Sequence, residues 1–182
     1  MKKLSLNITI FGGENIKKLE LIHTYINNGK FGETKNKKDG ISFVKTFKDS
    51  NSMKLKIYEY SDIPDKKAKD IANNQCIIIM FDMTERESFE DILDKWIKFL
   101  REIKYSNTII LFGTNNPNDK NALPKTDSEE INYLIDVTGI KGKFYDIGNK
   151  NEKEINILID NLIETSYEEA KDNMNKKDCL IF

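Results

Sequence analysis

Leu4, Leu6, Ile8 and Ile10 alternate with polar residues up to Phe11, the period of two of a strand. Gly12 and Gly13 follow, and the period then changes. From Lys17 onward, Leu19, Ile22 and Ile26 fall at helical spacing, and Asn27-Asn28-Gly29 offers a left-handed C-cap. Gly32 to Asp39 is polar, lysine-rich and aperiodic, which predicts a loop. Ile41, Phe43 and Phe47 mark an extended segment, and Leu55, Ile57, Tyr58 and Tyr60 mark another. The residues between them, Asp49-Ser-Asn-Ser52, have turn composition, so the two segments predict a hairpin. Ser61 to Gln75 reads as a loop with a short helical turn near Lys66 to Ala72.

The second half is a cleaner alternation of strands and helices. Cys76 to Phe81 is an uninterrupted apolar run, as expected of a strand covered on both faces. Thr84-Glu-Arg-Glu87 has the spacing of a capping box. Phe89, Ile92, Leu93, Trp96, Leu100 and Ile103 then form one helical stripe. Thr108 to Phe112 is another buried strand. Thr126-Asp-Ser-Glu129 is a second capping box, ahead of a helix carrying Ile131, Leu134 and Ile135 and closing near Gly139. Lys143 to Ile147 is a last short strand, and Ile155, Leu158, Ile159, Leu162, Ile163, Ser166 and Ala170 line a long helix. This order predicts an α/β fold: a central six-stranded, mostly parallel sheet with one antiparallel edge strand and helices on both faces. Ligands of such sheets bind beyond the carboxyl ends of the strands, where the loops at Gly12, Glu59, Asp82, Gly113 and Gly148 share one rim. The expected division is one domain over residues 1–170 and a flexible tail over 171–182.

Charge and length narrow the possibilities. A chain of 182 residues suits a single core. Its 29 basic and 30 acidic side chains leave a net charge of -1, without the basic excess of a nucleic-acid binder. Two cysteines, Cys76 and Cys179, are too few for a disulfide framework. No apolar stretch follows Met1-Lys-Lys-Leu-Ser5, and Cys76 to Phe81 is too short to span a bilayer, so a cytosolic chain is expected.

The chemistry concentrates at the first strand-to-helix turn. A phosphate-cradling loop there reads G-x-x-x-x-G-K-[ST]. The corresponding residues run from Gly12 to Leu19: Gly12 and Lys18 keep the pattern, Lys17 stands at the second glycine, and Leu19 stands at the hydroxyl. Lys18, with Lys17 and the helix N-terminus, offers positive charge to a phosphate. Elsewhere, His23 has no partner motif, Trp96 sits in a packing stripe, and Cys76 begins a buried strand. Glu59 and Asp82 form no catalytic pair, since no nucleophile accompanies them, and no catalytic residue is assigned.

From Leu4 to Glu168 the chain resembles the Ras superfamily of small GTPases, P-loop NTPases with a Ras-like G domain, and most closely the Rab branch. The strongest stretch is Ile77-Ile-Ile-Met-Phe-Asp-Met-Thr-Glu-Arg-Glu-Ser-Phe-Glu-Asp-Ile92, continuing through Lys95-Trp-Ile97. Ile109-Ile-Leu-Phe-Gly113 is similar to the strand before the guanine motif, and Phe31-Gly-Glu-Thr34 with Gly40-Ile-Ser-Phe43 to the two ends of switch I. The resemblance implies GTP or GDP with Mg²⁺ as ligand. It places Gly12, Asn15, Lys17, Lys18, Leu19, Asn115, Asn149 and Lys150 at the nucleotide, and Lys38, Gly40, Ile41, Phe43, Glu59, Asp62 and Ile63 in the switches.

Each motif is altered. Leu19 and Lys38 replace the two hydroxyls that ligate Mg²⁺ in the family. Glu59-Tyr-Ser-Asp62 stands for Asp-x-x-Gly, and Ile63 for the water-orienting Gln. Thr114-Asn-Asn-Pro117 stands for Asn-Lys-x-Asp, and Gly148-Asn-Lys150 for Ser-Ala-Lys. The substitutions predict a pseudoGTPase-like protein with impaired nucleotide binding, no bound Mg²⁺ and no hydrolysis. Cys179-Leu-Ile-Phe182 has the C-a-a-X pattern, and Phe at X points to geranylgeranylation of Cys179. The expected protein is thus a prenylated module on the cytosolic face of membranes, in vesicle traffic or signalling. Its partners would be effector or regulatory proteins at the switch-like loops. Two other readings stay open: a GTP-binding switch with an atypical site, and an α/β domain of unrelated role with an unmodified tail.

Overall fold

The computed structural model describes residues 4–28, 35–37, 40–46, 52–115 and 125–179. In chain order these form β1 (Leu4–Phe11), α1 (Lys18–Asn28), β2 (Lys35–Lys37), β3 (Gly40–Thr46) and β4 (Ser52–Tyr60). Next come α2 (Ala68–Ala72), β5 (Cys76–Asp82), α3 (Arg86–Asp91), a π-helical segment (Ile92–Ile97) and α4 (Lys98–Glu102). The chain closes with β6 (Thr108–Thr114), α5 (Ser128–Thr138), β7 (Gly142–Asp146) and α6 (Glu152–Cys179). The strands make one sheet in the order β2-β3-β4-β1-β5-β6-β7. Strands β4, β1, β5, β6 and β7 run parallel, while β3 pairs antiparallel with both β4 and β2.

The sheet therefore has seven strands rather than six, and the antiparallel β3 is internal. The extra strand, Lys35–Lys37, falls inside the stretch read as a loop. It is held by main-chain pairing with β3, and its Lys-Asn-Lys residues carry no apolar period to reveal it.

Alternation along the strands feeds two cores, one on each face. On β5, Ile78 and Met80 join Leu6, Ile8 and Ile10 of β1 beneath α1 and α6, where Ile22, Tyr25, Ile159 and Ile163 close the layer. Ile77, Ile79 and Phe81 point the other way, with Phe11, against Phe89, Ile92, Trp96 and Leu134. That is why Cys76 to Phe81 is apolar without interruption. Trp96 is 1% exposed and stacks on Phe11 with ring centroids 4.8 Å apart.

Three local expectations are revised. The single helical stripe is broken by the π segment, whose wider turn buries the neighbours Trp96 and Ile97 together and leaves Leu93 39% exposed. The box at Thr84–Glu87 does not form. Glu85 is the N-cap of α3 without a side-chain bond, and Thr84 instead donates its N–H and hydroxyl to Asp82 Oδ1 at 2.8 and 2.6 Å. At α5 the cap is Asp127, one residue later than read, accepting from the Glu130 N–H at 2.8 Å. A reciprocal box does open α6, between Asn151 and Glu154. Gly139 closes α5 at φ 62°, the left-handed conformation glycine adopts without strain. Helix α6 continues past Lys171 to Cys179, through a stretch with neither Gly nor Pro to break it. The C-cap expected at Gly29 lies outside the described residues. No described helix is long and apolar enough to cross a membrane.

Candidate functional site

The loop after β1 is tightly constrained. A Cβ on Gly12 would lie 2.7 Å from the Met80 carbonyl oxygen, so β1 and β5 approach too closely there for any side chain. One on Gly13 would meet nothing within 4 Å. The Ile16 side chain is buried, its N–H donates to the Gly13 carbonyl at 3.2 Å, and the Lys18 N–H donates to the Ile16 carbonyl at 2.7 Å.

Lys18 is turned inward and is only 2% exposed. Its ammonium donates to the Gly12 and Gly13 carbonyls at 2.9 and 2.7 Å and to Ser61 Oγ at 3.0 Å. Glu59 Oε2 lies 3.9 Å away. Burial pushes the Lys18 ammonium below its ordinary pKa of 10.5, and the Glu59 charge partly opposes this. The three donors of the ammonium thus have partners from the protein itself.

Ser61 also joins this loop to the helix on the other side. Lys95 Nζ lies 3.4 Å from the Ser61 carbonyl and 3.0 Å from Asp62 Oδ1, and sits over the Trp96 ring. The Lys95 contact and the Ile63 N–H hold the Asp62 carboxyl below the usual carboxylate range. Glu59, near the end of β4, and Ser61 and Asp62, just beyond it, are therefore held by lysines from two sides.

Next to this closed region is a cavity of about 240 Å³, between α1, α6 and the ends of β5, β6 and β7. Ile16, Leu21, Met80, Ile147 and Ile155 give it an apolar body. Asn15, Thr24, Thr114 and Asn115 add neutral polar groups, and Lys17, Glu20, Asp82 and Glu152 add charge. Lys17 is ion-paired with Glu20 at 3.0 Å. Asn115 packs on Gly148, where a Cβ would come within 2.5 Å of its amide carbon, and donates to Asn149 at 3.3 Å.

The residues expected at the nucleotide are thereby divided. Asn15, Lys17 and Asn115 line the cavity, and Asn149 touches it through Asn115. Gly12 and Lys18 belong to the closed loop beside it. Lys150 is exposed, its N–H bonded to the Ile147 carbonyl, and Leu19 lies in the first turn of α1. Of the switch residues, Glu59, Asp62 and Ile63 lie at the pinned segment, with Ile63 38% exposed. Gly40, Ile41 and Phe43 form part of β3, and Lys38 lies outside the described residues. Cys179 is the last residue of α6. The cavity's contributions from α1 and α6 escaped the sequence reading. Ile155 reads there only as a helix position, and Leu21 and Thr24 are not singled out at all.

A comparison with protein families matches the Ras family over residues 7–168. The chain belongs to the Ras family. A search of curated proteins finds no match. The Ras-family assignment identifies the protein as small-GTPase-like, and the sheet and helices above are those of a Ras-like G domain. Ras-family domains generally bind GTP or GDP with Mg²⁺ and act through effectors and regulators.

Proposed function

We propose that this Ras-family protein is a Rab-like interaction module that works without a magnesium-nucleotide cycle. In this reading it is tethered to the cytosolic face of a membrane by a prenyl group on Cys179, in vesicle traffic or signalling. The observation that carries the proposal is the Lys18 ammonium, 2% exposed and bonded to the Gly12 and Gly13 carbonyls and Ser61 Oγ.

The residues present do not suit Mg²⁺–GTP. A phosphate would have to draw Lys18 from three partners. It would also need loop N–H groups, of which those of Ile16 and Lys18 already bond to loop carbonyls. Lys17 adds a side chain where close backbone approach calls for Gly, and Leu19 supplies no oxygen for Mg²⁺. Ile63 has no group to orient an attacking water. The segment Glu59–Ile63 instead has its order from Lys18 and Lys95, so its shape is presented to partners constitutively.

Acid extraction of the purified full chain, followed by chromatography, tests the core of this reading. The expected result is no stoichiometric nucleotide and no thermal shift with GDP or GTP, with or without Mg²⁺. One equivalent of GDP or GTP overturns it in favour of an atypical GTP-binding switch, the reading that family membership alone favours. For the anchor, Cys179→Ser is expected to leave the membrane fraction. Equal partitioning of the two proteins overturns the lipid assignment.

A further inference from the structure

We propose that the outer face of α5 docks a basic amphipathic helix of a partner protein, with Tyr133 and Val137 as its apolar anchors and Glu129 and Asp136 as its charge contacts. The face shares no residue with the Glu59–Ile63 segment, so it stands apart from the nucleotide-free reading.

Helix α5 buries Ile131 and Leu134 in the core. Glu129, Tyr133 and Val137 follow one another at i, i+4 spacing and form a ridge on its other side, with Asp136 beside it. Tyr133 is 68% and Val137 58% exposed, the most exposed large apolar side chains among the described residues. Two such anchors one turn apart match the spacing at which a second helix packs ridge into groove.

Charge selects the occupant. Ser128–Thr138 carries Glu129, Glu130 and Asp136 and contains no lysine or arginine. Arg86 is used by Glu130 at 2.6 Å, and Arg101 donates to the Thr138 carbonyl at 3.0 Å. The arginines of α3 and α4 are thus spent on tying those helices to α5. Among the described residues, Glu129 and Asp136 are left without an ion pair. Asp136 also opposes its own helix. It stands in the last turn, at the negative end of the macrodipole, where no basic residue offsets it. A cation on the partner relieves that repulsion. A second copy cannot, because α5 against α5 brings only carboxylates together. An anionic lipid surface or a nucleic-acid backbone meets the same like charge.

NMR titration of the full chain with an end-blocked leucine–lysine amphipathic helix tests this. Binding is expected to saturate, with shifts confined to α5 and the adjoining surface of α3 and α4, and the leucine–glutamate version should not bind. Tyr133→Ser combined with Val137→Ser should weaken binding at least about thirtyfold, as loss of the central anchors does. Glu129→Gln combined with Asp136→Asn should weaken it about fivefold and flatten its salt dependence. All four side chains are exposed, so unchanged thermal midpoints are expected for both double variants. The proposal is overturned by no binding, by equal affinity for the leucine–glutamate helix, by shifts elsewhere, or by binding that neither double variant changes. Sedimentation should show a monomer. A dimer dissolved by the Tyr133 and Val137 changes gives this face to a second copy, and anionic-vesicle binding lost in the same variant gives it to a membrane; either overturns the proposal. Nucleotide in the purified chain bears only on the earlier reading.

Discussion

Lys17 and Lys18 are neighbours in sequence with opposite surroundings. Lys18 is 2% exposed, and its donors are bonded to two loop carbonyls and a serine. Lys17 has a side chain 55% exposed, paired with Glu20 at the mouth of an open cavity. The rim is thus split into a closed half, which the protein fills with its own groups, and an open half with spare volume. The difference comes from direction alone. Where the loop enters α1, Lys18 is aimed back under the loop and Lys17, just before the helix, outward. A like pair of residues therefore separates a buried, internally bonded lysine from one at a cavity mouth, and only coordinates reveal which is which.

The comparison can be broken first at its foundation. Trp96 stacks on Phe11, the residue before Gly12, and supports Lys95. Trp96→Ala should cost about 3–5 kcal/mol in urea denaturation, the range for a large core truncation. A cost near zero would show that the stack does not support the closed half. Next, Gly12→Ala should destabilise by about 1–3 kcal/mol, because its methyl meets a backbone oxygen. Gly13→Ala, with open space around it, should stay within about 0.5 kcal/mol. Equal effects would remove the distinction between the two glycines.

Ser61→Ala removes an acceptor shared with the buried ammonium and should cost about 1 kcal/mol. Lys18→Met sharpens the same point through pH. The folded-state pKa of Lys18 lies below its ordinary 10.5, so between the two values the unfolded chain holds the extra proton. The unmodified protein should therefore gain stability relative to Lys18→Met as pH rises through that window, read from paired denaturation midpoints. Parallel curves would mean that burial does not tax the charge. The smallest effect belongs to the open half. Glu20→Gln loosens an exposed pair and should change stability by no more than about 0.5 kcal/mol.

Much of the fold was legible because its strands answer to one or two apolar faces. Leu6, Ile8 and Ile10 declare a one-sided alternation, and Ile77 to Phe81 a two-sided one. Gly139 marked a helix end through the conformation it must adopt. What escaped was held by main chain or by distant partners. Lys35–Lys37 pairs through its backbone, so no side-chain period betrays it. The cap moved from Thr126 to Asp127 because either residue type serves and the helix register decides. At the site, Gly12 and Lys18 were legible as a phosphate-loop remnant. The lysine's engagement with Ser61, 43 residues onward, was not. Asp82 read as a strand end without a nucleophile nearby, and its place in a cavity required Leu21 and Ile155 to be brought together from two helices.

The π segment has a consequence for how this protein could change over time. Its wide turn accommodates a residue beyond the count of an unbroken α-helix, so α3 and α4 keep their seats while Lys95 and Trp96 serve different neighbours. A shortening by one amino acid between Ile92 and Ile97 would leave both flanking helices in phase and still uncouple Lys95 from Ser61. Length, rather than side-chain chemistry, is then the adjustable gear between the central helix and the segment that partners would meet.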